Sequence, residues 1–167
     1  GIFAMNDRLG LGQKYDLPLS GMVHGNNPSR AWKQERYGQD WLIGDTINAS
    51  IGQGFTLTSP IQLATMTARL ASGTAVLPRL VRPLGGAGPG EPVPASLGLS
   101  AEALAIVRQG MFEVSNHERG TAYASRIADV NKAMAGKTGS SQVFSITAAE
   151  RAAGVRSQDE LPWNRRD

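Results

Sequence analysis

The chain has 167 residues, 41% of them hydrophobic and 19% charged, which excludes a disordered segment and fits one domain with an ordinary core. Its 17 Lys and Arg against 14 Asp and Glu leave a net charge of +3; the basic residues are scattered apart from Arg165-Arg166, so the basic stripe of a nucleic-acid binder is lacking. There is no Cys and there are two His, His24 and His117, without a helically spaced partner, which rules out a disulfide framework and thiolate metal ligation and leaves no zinc pattern.

Ile2, Met5 and Leu9 recur at helical spacing, and Gly10 and Gly12 follow as stop signals, so the chain opens in an amphipathic helix. Residues 14–45 read as an irregular polar segment in which Asn27 or Ser29 starts a short helical turn through Trp32 and Gln34. Thr46 to Ile51 reads as a short β-like stretch closed by Gly52-Gln53-Gly54. Ser59 as N-cap, Pro60 at the first helical position and Gln62 as the far end of a capping box predict a helix over 60–72, ended by Gly73.

Residues 75–82 have β-like content, and the Gly- and Pro-rich stretch 83–94 reads as a surface loop. Ser100 caps a second strong helix over 101–114, with Leu104, Val107 and Met111 as its stripe. Residues 123–135 are ambiguous. A strand is expected from Met134 to Phe144, then a short helix over 148–153 introduced by Thr147 and Glu150 and stopped by Gly154. No run of about 18 apolar residues marks a membrane span, and no signal peptide opens the chain.

Lys137-Thr138-Gly139, followed by Ser140, is the informative motif. In a strand, alternation would put Thr138 and Ser140 on one face and Lys137 and Gly139 on the other. Two hydroxyls along a cleft wall suit a substrate carboxylate, and Lys137 adds positive charge nearby. Gly139 would let an acyl group lie against the backbone, and the Ser140 N–H would be an oxyanion-hole donor. Taken alone the tripeptide also fits an exposed edge strand whose Lys and Thr discourage aggregation. Trp32, Trp41 and Trp163 read as packing residues, Asp45 as a turn or cap residue, His24 as a surface residue, and His117 with Glu118 as capping and solvation. Gly52 and Gly54 lack the Lys-Ser/Thr ending of a phosphate loop, which rejects nucleotide binding.

The wider context resembles a known family. Trp41 through Gly44-Asp45-Thr46 to Gly52-Gln53-Gly54, then Thr58-Ser59-Pro60-Ile61-Gln62-Leu63, resembles the class B penicillin-binding proteins, the peptidoglycan D,D-transpeptidases. Gly120-Thr121-Ala122 and Ala135-Gly136-Lys137-Thr138-Gly139 through Gln142-Val143 match that family's order and spacing. The wording is most like the elongation-specific member, penicillin-binding protein 2, and the likeness spans essentially the whole chain.

The resemblance implies an α+β, β-lactamase/transpeptidase-like fold, an antiparallel sheet flanked by helices, present only in part here. It implies that residues 1–167 are a C-terminal portion of the transpeptidase domain, incomplete at both ends. It further implies acyl transfer from the D-Ala-D-Ala end of a peptidoglycan stem peptide through a serine acyl-enzyme, which β-lactam antibiotics trap. Lys137, Thr138 and Ser140 would bind the carboxylate. No cofactor, metal or nucleic acid is implied. The partners implied are the rest of the same domain and cell-elongation membrane proteins. The location implied is the periplasmic side of the bacterial inner membrane.

Two features depart from the family pattern. Ser140 stands where Thr is usual, which keeps a hydroxyl. No Ser is followed three residues on by Lys, and no Ser-x-Asn or Tyr-x-Asn occurs, so the nucleophile and its base are expected outside this chain. A serine β-lactamase, or a non-catalytic scaffold or β-lactam sensor of the same fold, are the competing readings.

Overall fold

Cap residues set most of the helix boundaries in the computed structural model, which describes residues 1–81, 93–139, 149 and 152–154. The chain divides into two compact units, Gly1–Arg108 and Gln109–Asp167. In the first, α1 (Ile2–Leu9) ends at Gly10, whose φ of 96° is left-handed. A side chain there would strike the Tyr15 hydroxyl and the Arg69 guanidinium, so glycine is required by both conformation and space. α2 (Arg30–Tyr37) starts where the Ser29 hydroxyl accepts the Trp32 N–H at 3.0 Å. It runs a turn beyond the expected Gln34 because nothing stops it before Gly38.

The expected β-like stretch over 46–51 is corrected: these residues lie mainly in a helix, α3 (Ile43–Ser50). The Asp45 carboxylate accepts the Leu42 N–H at 2.7 Å and the Lys33 ammonium at 2.6 Å. That acid in the first turn satisfies a free N–H and favours the positive helix end, which outweighs the β-branched content. α4 (Pro60–Ser72) has the expected bounds, with Gln62 Oε1 accepting the Ser59 N–H at 3.1 Å and Gly73 closing the end. α5 (Ala101–Asn116) begins where Ser100 Oγ accepts the Ala103 N–H at 3.1 Å, and extends two residues past the expected end.

Polar side chains dominate the interior of the first unit. Tyr15, Leu97 and Leu104 are the buried apolar residues among those described, beside buried Lys33, Gln62, Thr65 and Arg69. α1 packs on α4, and α4 supplies the ties. Gln62 Nε2 donates to Gln13 O at 2.9 Å and to His24 O at 2.6 Å. Arg69 donates to Arg8 O at 2.9 Å, Val76 O at 3.1 Å and Gln13 Oε1 at 3.2 Å. These buried Gln62 and Arg69 donors thus meet acceptors, as burial demands. Trp32, Tyr37 and Phe55 form an aromatic cluster with centroids 5.3–5.7 Å apart, the packing role read for Trp32.

Antiparallel pairing among the described residues consists of two isolated bridges, Asn26 with Leu57 and Thr74 with Ser96. The β-like run from residue 75 therefore forms no strand over its described part: Ala75 N–H reaches Ala95 O at 2.7 Å and the pairing stops there. In the second unit the ambiguous segment forms two short 3-10 turns, Tyr123–Ser125 and Val130–Lys132. Residues 134–139 carry no strand pairing either; the rest of the expected strand, with Ser140, Gln142 and Val143, lies outside the described residues. Ala149 and Ala152 are helical and Gly154 has a left-handed φ of 92°, in keeping with the short helix expected there; Thr147 and Glu150 lie outside the described residues. So do most of the Gly- and Pro-rich loop, Trp163 and Arg165-Arg166.

Candidate active site

The Lys-Thr-Gly segment belongs to the second unit, where the C-terminal half of α5 acts as its anchor. Gly136 N–H donates to Met111 O at 2.9 Å. Asn116 Nδ2 donates to its own helix at Phe112 O and across to Met134 O, both at 2.8 Å. These bonds hold residues 134–136 along the helix in place of a strand neighbour, so the backbone groups of the segment are partly satisfied without a sheet.

The chain first turns off α5 at Gly120. Its N–H donates to His117 O at 2.7 Å, and Ala122 N–H returns to Val114 O at 2.9 Å. The backbone lies so close to the helix end that a Cβ on Gly120 would collide with the carbonyls of Glu113 and Val114. That contact presents Thr121 outward. Its hydroxyl lies 3.1 Å from that of Thr138. The two motifs that the sequence separates by 17 positions thus meet through their threonines.

Lys137 does not point away from Thr138, as strand alternation would require. Its ammonium turns to Thr138 O at 2.7 Å and lies 3.4 Å from Thr138 Oγ1. Both residues are exposed, and among the described residues no carboxylate pairs with Lys137. A cation and two hydroxyls facing solvent, with an exposed Gly139 beside them, can receive an anionic group and let it approach the backbone. Ser140 lies outside the described residues.

The remaining candidates have structural roles. Asp45 caps α3 and pairs with Lys33; that ammonium and the Leu42 N–H hold its carboxyl below the ordinary aspartate value. His117 Nδ1 accepts the Arg119 N–H at 3.2 Å, a local cap. His24 is half-buried and offers its carbonyl to Gln62. Trp41 Nε1 donates to Thr46 Oγ1 at 2.8 Å. Among the described residues no group of three His, Asp or Glu could hold a metal ion, and no helix is long and apolar enough to cross a membrane.

Sequence reasoning missed Asn116 and Thr121 as site residues. Asn116 offered no signal beyond its place at a helix end. Thr121 lies in Gly120-Thr121-Ala122, whose match to the family implies no role for its hydroxyl.

The family described as penicillin binding protein transpeptidase domain matches residues 2–155, and the chain belongs to that family. The peptidoglycan D,D-transpeptidase MrdA of Haemophilus influenzae is 33% identical over 157 residues, covering 89% of this chain and 24% of the relative. The Escherichia coli K12 MrdA is 32% identical over 151 residues, covering 86% and 23%. The chain thus spans about a quarter of the length of the curated relatives it matches.

Among solved structures, Pseudomonas aeruginosa PBP2, crystallised with WCK 5153, is similar at a TM-score of 0.63 and 38% identity, over 74% of this chain and 30% of the other. Helicobacter pylori PBP2 in complex with MreC gives a TM-score of 0.61 at 28% identity, over 76% and 26%. These likenesses support the transpeptidase/β-lactamase-like fold.

Proposed function

We propose that these residues form the Lys-Thr-Gly side of a peptidoglycan D,D-transpeptidase active site, with the serine nucleophile and its base supplied by polypeptide outside them. The observation that carries the reading is the exposed Lys137 and Thr138, tied to Thr121, in a chain of this family. Lys137, Thr138 and Ser140 bind the terminal carboxylate of a stem peptide. Gly139 leaves room for the acyl group, and the Ser140 N–H helps to hold the oxyanion. The serine attacks the penultimate D-Ala carbonyl, the terminal D-Ala leaves, and an amine of a neighbouring strand takes the acyl group. A β-lactam carries the same carboxylate and stops at the acyl-enzyme.

The segment around Lys137 is, on this reading, one edge of an antiparallel sheet flanked by helices, completed by the rest of the domain. The exposed Ile43 and Ile47 on α3 with Ile51 just after it, 83%, 59% and 66% accessible, make a surface such polypeptide would cover. A periplasmic setting at the inner membrane, in contact with elongation proteins, follows from the same reading. The MreC complex of the H. pylori relative supports a protein partner of this kind.

Intact-mass measurement on the full transpeptidase that carries this chain, after exposure to penicillin, tests the assignment. One added β-lactam, at a serine outside these residues, is the expected result. A folded protein that gains no mass would remove the acyl-transfer reading and favour a non-catalytic scaffold.

A further inference from the structure

Thr138 Oγ1 has three neighbours to consider: Lys137 Nζ at 3.4 Å, Thr121 Oγ1 at 3.1 Å, and open solvent. A hydroxyl has one proton to donate and two lone pairs to accept with. The Lys137 ammonium can only donate, so it occupies one lone pair of Thr138. The Thr121–Thr138 contact can be polarised in either direction. If Thr138 gave its proton to Thr121, it would face an incoming carboxylate with oxygen only. If Thr121 donates, Thr138 accepts twice and its own proton is free for the anion.

We infer that Thr121 is a positioning residue which donates to Thr138 and so fixes the Thr138 hydroxyl as a donor toward the carboxylate of stem peptide or β-lactam. The structure around Thr121 is built for a fixed position. Gly120 is pressed against the end of α5, and Ala122 is hydrogen-bonded back to Val114 O. The backbone on either side of Thr121 is therefore held, and its hydroxyl reaches Thr138 without further adjustment. A carboxylate arriving at Thr138 reinforces the same polarity, because an anion accepts and cannot donate. The inference rests on the transpeptidase reading and adds a residue to its carboxylate site.

The test compares the second-order acylation rates of the full transpeptidase by benzylpenicillin and by its methyl ester, which lacks the anionic carboxylate. Thr121→Val keeps the shape and removes the hydroxyl; Thr121→Ser keeps the hydroxyl. Thr121→Val removes the neutral hydrogen bond that holds the Thr138 hydroxyl in place and is expected to slow acylation by the acid about fivefold, while the rate with the ester stays near wild type. Thr121→Ser is expected to restore the preference for the acid. An unchanged acid-to-ester ratio in Thr121→Val, whether or not both rates fall, would overturn the inference and leave the transpeptidase reading intact. A folded wild-type protein that neither compound acylates would overturn both.

Discussion

Lys33 Nζ and Asp45 Oδ2 lie 2.6 Å apart, with the two side chains 4% and 14% accessible. The pair joins α2 to the first turn of α3, and the same carboxylate oxygen holds the Leu42 N–H at 2.7 Å. One acid therefore both starts a helix and fixes its neighbour.

Acid should weaken this joint. The Asp45 carboxyl titrates below its ordinary value of 3.8 because of the Lys33 and Leu42 donors. Stability from a lowered carboxyl is complete above the ordinary value and is lost as the pH falls through the lowered one. The urea midpoint of wild type should exceed that of Asp45→Asn at pH 6, and the gap should narrow toward pH 3. A gap independent of pH would show that the charge plays no part.

Gln62 is 1% accessible, and its amide serves Gln13 O, His24 O and the Ser59 N–H. Gln62→Leu fits the space but orphans all three groups. The expected loss is about 3–5 kcal/mol of unfolding free energy, read from denaturant titration. Gln62→Glu should also destabilise at neutral pH, because an anion offers no donor to two carbonyls.

Arg69 spreads three donors over Arg8 O, Val76 O and Gln13 Oε1. A lysine keeps the charge but not the planar fork. Arg69→Lys should therefore recover less than half of the stability lost in Arg69→Met, which we expect to be about 3 kcal/mol. Full recovery by lysine would mean that charge alone matters at this position.

Gly120→Ala places a methyl against the carbonyls of Glu113 and Val114. A cost of about 2 kcal/mol is expected from forced backbone movement. Because that movement displaces Thr121, acylation of the full enzyme by penicillin should fall as well. Normal acylation with normal stability would mean that the turn can relax without moving the hydroxyl.

The helices α1, α4 and α5, and the start of α2 at Ser29, were legible because their signals are local. Gly10 after a 3–4 repeat, Ser59-Pro60 with Gln62, and Ser100 ahead of Leu104 each act within a few residues. α3 was read as β-like because the β-branched Thr46, Ile47 and Ile51 outweighed a local start signal, the Asp45 carboxylate on the Leu42 N–H; its tie to Lys33, 12 positions away, left no trace in the sequence. The same limit hid the interior. Gln62 was legible as a cap but not as a buried tie, since Gln13 and His24 are brought to it only by the fold. Lys137, Thr138 and Gly139 were legible as a motif. Their attachment to α5 through Met111 and Asn116, and the Thr121 contact, were not, because side-chain meetings between loops leave no periodicity.

The ties made by α4 also bear on how the first unit assembles. The Gln62 bonds close sequence separations of 49 and 38 residues, and the Arg69 bond to Arg8 closes 61. Closing such loops carries an entropic cost before any contact is gained. At 13 residues α4 is marginal as an isolated helix despite its caps. It depends on the packing that its own side chains tie together, so the helix and the segment from Arg8 to His24 are expected to be gained and lost in one transition.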